Sequence, residues 1–385
     1  MSVLREVRMG VVETFAAMRE PELAAWALYL ALGPVYLWSS GLPQPGDWVL
    51  LLLGPLVLRG WNGKLSNTAV STLRPLMLFV VYGILVNLAW SVIENAWSLG
   101  LKRGFGVSFL FYLYNTLAFL TFLLLHRRYG RRLLEFTSHT ILGALVVQAV
   151  TAFAIGGGAG RETLLFNNPN QLGYFALLSI NILFLLHRKG YTSTLAVAIG
   201  GVAAAYLALI SASKAALAGI LLIAAVGALI RLRTLLVVGV VFALTFALAA
   251  PMRNAVDGAI ARYEAHDTSP LEDRGYDRIT DYPEYWLFGS GEGAYNRFRY
   301  DSALGAHEIH SSAGTLFFCY GLIGTLLFLT FLWRVMKGGG LRSWMLIAPS
   351  LAYGMAHQGL RTTMFWVLLA LVVTLREQAT ARRFQ

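Results

Sequence analysis

The chain has 385 residues, of which 57% are hydrophobic and only 13% charged, and its formal net charge at pH 7 is +11. Soluble domains carry about 25% charged residues, so this chain has too few charges to cover a surface that faces water. Its apolar residues come in blocks of about 15 to 25, a length that crosses about 30 Å of hydrocarbon. These features exclude a soluble enzyme, a disordered regulator, a disulfide-stapled domain and a nucleic-acid-binding protein.

The N-terminal segment and the cysteine content narrow the class further. Residues 1–20 lack the uninterrupted apolar core of a cleavable signal peptide. Apolar residues recur there at helical spacing among charged ones, which predicts an amphipathic helix over residues 1–21 at the cytoplasmic membrane surface, with a frayed tail as the alternative. The single cysteine, Cys319, excludes an intramolecular disulfide and a cysteine-based metal site.

The apolar blocks predict an all-α, polytopic integral membrane protein with about twelve transmembrane helices. The predicted spans are residues 22–39, 47–58, 76–98, 105–125, 133–155, 170–186, 191–210, 214–230, 234–250, 313–333, 343–357 and 362–375. Spans 1–9 thus fill residues 22–250, spans 10–12 fill residues 313–375, and residues 376–385 form a cytoplasmic tail. The blocks do not alternate apolar and polar residues, which excludes the strands of a membrane β-barrel.

The basic residues predict the orientation. With the N-terminus inside, the short cytoplasmic connections hold 20 of the 31 lysines and arginines, as the positive-inside rule requires. The long connection between spans 9 and 10, residues 251–312, is then a large periplasmic loop. It is acidic and aromatic, unlike the rest of the chain, and no internal repeat of the kind found in many transporters is evident.

Polar groups at the predicted outer face are the candidate site. The first group is Arg161 with the segment from Phe166 to Gly173, which contains Asn170 and opens the sixth span. Helix starts attract phosphate, although asparagine and proline also serve simply as helix caps. Three asparagines and a glutamine exceed what one cap requires.

The second group is Ser211-Ala212-Ser213-Lys214 at the outer junction of spans 7 and 8. A lysine at such a junction often only extends its ammonium group to the membrane surface. Lys214, however, faces the side on which basic residues are scarce and follows small residues that permit close helix packing. A role in binding is therefore a hypothesis of equal standing.

The third group, residues 272–278 in the loop, carries Arg274 and Arg278. Residues four apart share one face of a helix, and paired guanidinium groups suit the recognition of a diphosphate. The alternative is that each arginine pairs with the acidic residues beside it on a solvated face.

The fourth group is His307-Glu308-Ile309-His310-Ser311-Ser312, directly before span 10. Imidazole is the usual general base toward a hydroxyl, while an interfacial histidine also often serves as a hydrogen-bonded packing residue. Two histidines and a glutamate suggest a metal, but they lack the HExxH spacing and an obvious third ligand. We therefore predict no metal and no cofactor at this site.

Further outer-face residues complete the set. Glu94 is an ionisable residue near the outer end of span 3, a position that is often functional. His357 and Arg361 lie at the last outer hairpin, and Asp47 follows span 1. We include Arg361 among the candidate substrate-binding residues.

Four segments resemble motifs of the O-antigen ligase and polymerase superfamily. The sequence from His310 to Gly324 resembles that family's His-Asn-x-Tyr-Leu…Gly-Leu-x-Gly signature, with the same intervals between the histidine and the glycines. Residues 286–293 are similar to its Pro-Leu-x-Gly-x-Gly-x-Gly stretch, and residues 166–173 to its Asn-Pro-Asn-x-x-Gly segment. Ser213-Lys214 stands where many members have Ser-Arg. The motifs occur in the family's order and span most of residues 160–330.

The resemblance implies a metal-independent glycosyltransferase of the bacterial inner membrane with its active site at the periplasmic face. Its donor would be an undecaprenyl-diphosphate-linked glycan, its acceptor a glycan or the lipid A-core, and its surroundings membrane lipids, with no nucleic acid involved. His310 would be the general base, and Lys214 with Arg274 or Arg278 would hold the diphosphate. Ser311 and Lys214 depart from the family's Asn and Arg; Ser-Lys resembles the exopolysaccharide polymerases, so polymerase and ligase both stay open.

Two other classes remain as alternatives. Twelve spans and Glu94 also fit a transporter or a flippase for lipid-linked oligosaccharides. A metal-dependent lipid-to-sugar transferase would use Asp47 and the carboxylates of the loop. The first predicts ionisable residues at the membrane midplane on several spans, and the second predicts loss of activity with a chelator.

Overall fold

The computed structural model describes residues 20–94, 102–155, 161–264, 275–298 and 308–381. Every regular element in these ranges is helical, which confirms the predicted all-α class. The α-helices there are α1 (Pro21–Leu32), α2 (Pro45–Arg59), α3 (Asn67–Ile93), α4 (Lys102–Tyr129), α5 (Arg131–Ala154), α6 (Pro169–Arg188), α7 (Thr194–Ser211), α8 (Lys214–Leu248), α9 (Ala250–Glu264), α10 (Asp277–Asp281), α11 (Ser312–Met336), α12 (Gly340–Ala356) and α13 (Thr363–Ala381). The 3-10 turns are Pro283–Tyr285, Tyr295–Arg297 and Gly359–Arg361. All but the last two positions of the predicted N-terminal amphipathic helix lie outside the described residues.

Several of these helices are able to cross a membrane. In the described ranges, six are long and apolar enough: α3, residues Ser108–Tyr129 of α4, α5, α6, α7 and α11. The helices Leu232–Leu248 and Ala250–Ala261, bent by 98°, make a seventh if the pair is one broken span, and three apolar helices are shorter. These helices support a multi-pass membrane protein, and the number of twelve spans stays a prediction.

Helix α8 differs from its prediction. We expect two spans, residues 214–230 and 234–250, separated by a cytoplasmic turn, whereas the chain forms one helix of 35 residues from Lys214 to Leu248. At 1.5 Å per residue this helix is about 52 Å long. Arginine, leucine and alanine are good helix formers, so Arg231 and Arg233 mark a charged position inside a helix rather than a chain reversal. The helix ends at Leu248, the chain bends at Ala249, and residues 251–264, predicted as loop, belong to α9.

The described residues divide into two compact units. Unit 1 comprises those within Met1–Gly63, Leu120–His266 and Met345–Pro349. Its central helix is α6, in which 83% of the apolar window is buried. The close approach of α7 to α6 depends on Gly200, where a side chain would meet Leu183. Unit 1 therefore buries α6 among α5, α7 and α8.

Unit 2 comprises the described residues within Lys64–Phe119, Asp267–Trp344 and Ser350–Gln385. Helices α3 and α11 pack along each other, with Phe79 of α3 in edge contact with Tyr320 and Phe328 of α11. Helix α11 is interrupted at Gly321, whose φ of +64° and ψ of −170° are not helical. This break divides α11 into two segments and frees backbone hydrogen-bonding groups at its middle.

Candidate functional site

The candidate site residues fall in both units. Arg161, Asn170 and Lys214 belong to unit 1, whereas Arg278, His310 and Arg361 belong to unit 2. Arg274 and His307 lie outside the described residues.

His310 lies in unit 2 on a segment whose neighbouring residues are anchored. Its side chain is exposed, while the preceding Ile309 is 1% exposed. The carbonyl oxygen of Ile309 accepts hydrogen bonds from Gln358 Nε2 and from Thr315 Oγ1. The residue before His310 is thus held by both packing and hydrogen bonds.

The two serines after His310 are fixed as well. Ser311 is the N-cap of α11, because its Oγ accepts from the Gly314 amide at 3.1 Å. The hydroxyl of Tyr276 lies 2.5 Å from the same Oγ. Ser312 donates from its amide and from its hydroxyl to the His357 carbonyl, each at 3.1 Å. The segment therefore presents an exposed imidazole from a backbone anchored on both sides, which is how a catalytic side chain is kept in position.

Arg361 joins this segment to a buried carboxylate. Its Nη1 lies 2.7 Å from Glu308 Oε2, and its Nη2 donates to Glu292 Oε1 at 2.6 Å. The Glu292 side chain is 0% exposed and also accepts from the Tyr320 hydroxyl at 2.7 Å. Burial by itself lowers the pKa of the Arg361 guanidinium, but Glu292 and Glu308 outweigh it and hold that pKa well above its usual value. Arg361 thereby fixes Glu308, two residues before His310; a contact with a diphosphate stays a prediction.

The glycine-rich segment, residues 286–293, explains how Glu292 becomes buried. Gly289 and Gly321 both have positive φ, and a side chain on either glycine would overlap the backbone of the segment that carries the other glycine. Four backbone hydrogen bonds link the segment to the break in α11: Ser290 N to Phe318 O, Gly291 N to Cys319 O, Leu322 N to Trp286 O and Ile323 N to Leu287 O. The two glycine motifs noted in the sequence are thus one structural unit, since each satisfies backbone groups of the other.

Arg278, on α10, is buried rather than displayed on a solvated face. It is 2% exposed, and its guanidinium carbon lies 5.8 Å from the ring centres of both Tyr295 and Phe298. Tyr276, at the start of the same turn, donates to the Met355 carbonyl at 2.6 Å besides contacting Ser311. The turn that carries Arg278 is therefore attached to the His310 segment.

Unit 1 brings the first two sequence motifs together. Arg161 Nη2 donates to Asn170 Oδ1 at 2.8 Å, and the Glu162 amide donates to the Ile210 carbonyl at 2.9 Å. A side chain at Gly173 would lie 2.8 Å from both Ser211 Oγ and Ser213 Cβ. The segment that opens α6 therefore packs directly on the residues that precede α8.

Lys214 is the first residue of α8, and its side chain is exposed. The turn before it contains Ala212 in the left-handed conformation, with φ of 48°, which redirects the chain between α7 and α8. Helix starts carry a partial positive charge, and Lys214 adds a full one. Arg161, Asn170 and Lys214 thus lie on two segments that pack on each other; the binding of an anion by these residues stays a prediction.

In the described part of the chain, no group of three or more histidine, cysteine or carboxylate side chains is placed to hold a metal ion. Asp47 accepts from the Gln44 amide at 2.7 Å and forms the capping box of α2, a structural role. Glu94 lies 3.8 Å from Arg297, a residue that is itself enclosed by aromatic rings. The two acids that the sequence singled out thus each have a local partner.

Sequence reasoning missed the pairing of Glu292 and Glu308 with Arg361, and it weighed Glu308 only as a metal ligand. Glu292 is the single acid inside the run Gly-Ser-Gly-Glu-Gly. An acid surrounded by small residues can indicate a buried carboxylate, which requires a cationic partner. Its partner Arg361 is 69 positions away, which no local pattern reveals.

In comparisons with known proteins, the chain matches no family model and no curated protein sequence. The function proposed next therefore depends on the motifs of the sequence and on the contacts described above.

Proposed function

We propose that this chain is a multi-pass glycosyltransferase of the bacterial inner membrane that moves a glycan from undecaprenyl diphosphate to a sugar hydroxyl at the periplasmic face. The observation that carries the proposal is the exposed imidazole of His310, held between anchored neighbours at the start of an apolar helix. A lipid-linked donor requires an active site at the edge of a membrane rather than in a water-soluble domain.

His310 acts in this proposal as the general base. It removes the proton from the acceptor hydroxyl while that oxygen attacks the anomeric carbon of the donor sugar. The bond between that carbon and the phosphate oxygen breaks, and its electron pair leaves with undecaprenyl diphosphate. Direct displacement of this kind inverts the anomeric configuration.

The basic residues stabilise the leaving group. Undecaprenyl diphosphate departs as a polyanion, and fixed cations lower the free energy of the transition state in which this charge develops. Lys214 is the best placed for this role by exposure, with Arg161 and Asn170 beside its turn. Arg274 and Arg278 complete the proposed set. Arg361, which the sequence also offered for this role, has both terminal nitrogens on carboxylates, so we assign it to the support of Glu308.

Replacement of His310 by alanine tests the mechanism in cells. We expect glycan transfer to fall by about 10²- to 10⁴-fold at normal protein level, the range that general-base catalysis supplies. His139→Ala, at an exposed histidine of α5, is the matched control and should leave transfer unchanged. Normal transfer in the His310→Ala cells would disprove the role of this residue. In a strain that lacks a polymerase, single repeat units reach the acceptor, whereas loss of a ligase leaves long chains on the lipid carrier, so the glycan ladder separates the two activities.

Sidedness is an independent requirement of the proposal. The proposal requires both Lys214 and His310 to face the periplasm, the orientation that about twelve spans predict. Because α8 is one helix where two spans are predicted, this orientation needs its own measurement. Cysteines at positions 214 and 310 should react with a membrane-impermeant maleimide in intact cells, and one at exposed Lys189 only after lysis; native Cys319 is buried. Labelling of either position only after lysis would contradict the periplasmic orientation that the proposal requires of it.

A further inference from the structure

We propose that residues 286–291 form a re-entrant segment at the depth of the bilayer hydrocarbon, where Trp286, Leu287 and Phe288 contact lipid acyl chains. The sequence alone places these residues in a periplasmic loop. The inference is separate from the glycosyltransferase proposal, because it concerns how the chain lies in the membrane and not what reaction it performs.

The contacts of the segment with α11 set its depth in the membrane. The segment hydrogen-bonds to α11 between Phe318 and Ile323. At 1.5 Å per residue, that stretch lies about 9 to 16 Å from the start of α11. Helix α11 is one of the helices long and apolar enough to cross a membrane. The length of this 25-residue helix exceeds the hydrocarbon thickness of about 30 Å only slightly, so the contacted stretch falls inside the hydrocarbon.

The segment carries a run of exposed apolar side chains. Trp286, Leu287 and Phe288 are 47%, 49% and 60% exposed, three consecutive large apolar residues. Exposed apolar runs of this kind are rare on surfaces that face water. The exposure of Phe288 matches that of Leu85 on α3, at 59%, which lies on a predicted spanning helix.

The surroundings of the triplet continue the same apolar surface. Leu322, whose amide donates to the Trp286 carbonyl, is 46% exposed, and Leu326 and Leu329 further along α11 are 53% and 51% exposed. Tyr82 of α3 donates from its hydroxyl to the Phe288 carbonyl at 2.8 Å, which joins the triplet to the other helix. The triplet is therefore continuous with the faces of α3 and α11 that would meet lipid.

The backbone carbonyl groups of the segment have hydrogen-bond partners within the protein. Non-helical chain is tolerated at membrane depth only where its polar groups find partners within the protein. The carbonyls of Trp286, Leu287 and Phe288 each accept a hydrogen bond, from Leu322 N, Ile323 N and Tyr82 Oη. On the far side of the segment, the carboxylate of Glu292 is buried against Arg361 and Tyr320. Polar atoms thus point into unit 2 while the apolar side chains remain at its surface.

Spin labelling of the full-length protein in liposomes tests the depth. A nitroxide is attached to Phe288→Cys or, as a second site, Leu287→Cys, and its collision rates with oxygen and with a water-soluble nickel chelate are compared. Leu329→Cys on α11 is the lipid-facing control, and Asp281→Cys, at an exposed residue at the end of α10, is the aqueous control. Native Cys319 is buried, so we expect it to stay unlabelled, and the unsubstituted protein treated in the same way checks this.

Oxygen concentrates in hydrocarbon and the chelate in water, so the expected ratio of the two rates at positions 287 and 288 is within about twofold of the ratio at 329. A ratio equal to that at 281 would overturn the proposal and return the segment to a water-exposed loop. If one label distorts the fold, as judged by the elution volume of the protein, the other position decides.

Discussion

The charged residues of the two units are held in contrasting ways. In unit 2, Arg278 is 2% exposed and the Arg361 side chain 21% exposed, and each packs against rings or carboxylates. In unit 1, the side chains of Arg161 and Lys214 are exposed. Buried charges fix backbone, because separating them inside the protein is costly, whereas exposed charges are accessible to a ligand. His310 combines the two situations, being an exposed group on a segment that buried charges and hydrogen bonds hold in place.

The largest effect on stability is expected where unit 2 is most tightly built. In Gly289→Ala, the new methyl group would overlap the Cys319 carbonyl at a backbone conformation with φ of +85°. Strain and overpacking together should cost at least about 3 kcal/mol, which lowers the midpoint of thermal unfolding in detergent. Gly143→Ala on α5, where nothing lies within 4 Å, is the control and should unfold at or slightly above the native midpoint. Equal midpoints for the two variants would mean that the glycine-rich segment does not pack on α11 as described.

Variants of the two carboxylates that contact Arg361 should affect different properties: the Glu292 variant stability and the Glu308 variant activity. Glu292→Ala leaves Arg361 with one partner in a buried site, and we expect a loss of about 3–5 kcal/mol in the free energy of unfolding. Glu308 is 30% exposed, so Glu308→Ala should cost no more than about 1 kcal/mol. It should instead lower kcat, by up to about 100-fold, because the His310 segment loses an anchor, with KM nearly constant.

Unfolding curves and initial rates measured on the same preparations check this separation. Glu308→Gln, which keeps the shape and a hydrogen bond, should recover part of kcat. Loss of stability and full activity in the Glu308 variant would assign that residue a purely structural role.

The smallest effects on stability are expected in unit 1, where the charges are exposed. Lys214→Ala should raise KM for the lipid-linked donor by roughly 10- to 100-fold, the value of a charged hydrogen bond, and leave the unfolding midpoint unchanged. Lys214→Arg keeps the charge and should stay within a few-fold of native. Arg161→Ala should have a weaker effect on KM, since that side chain already donates to Asn170. A Lys214→Ala enzyme with native KM and reduced kcat would remove Lys214 from donor binding.

The sequence predicted which segments are helical better than it predicted how they connect. Apolar blocks identified every helix of the described chain from α1 to α8 and from α11 to α13, because long runs of leucine, valine and phenylalanine admit little else. The sequence-based prediction was wrong at Arg231 and Arg233, where the charges predict a loop although arginine favours helix.

The function of the candidate site stays a prediction. Local motifs select His310 and Lys214 as candidates, since an interfacial histidine and a lysine on the basic-poor side are visible in short windows. The Glu292–Arg361 pair and the contact of Gly289 with Cys319 join residues far apart in the chain. Such pairings depend on how helices pack, and no periodicity of a single sequence contains them.

The most direct test of the central claim is the reaction itself, in proteoliposomes that contain the purified protein, an undecaprenyl-diphosphate-linked glycan and an acceptor glycan. With a chelator present throughout, we expect the native protein to release undecaprenyl diphosphate and extend the acceptor in equal amounts. The His310→Ala protein, with a native unfolding midpoint, should do so at least about 100-fold more slowly. Equal rates for the two proteins, or no transfer by the native protein with any lipid-linked donor, would contradict the proposed function.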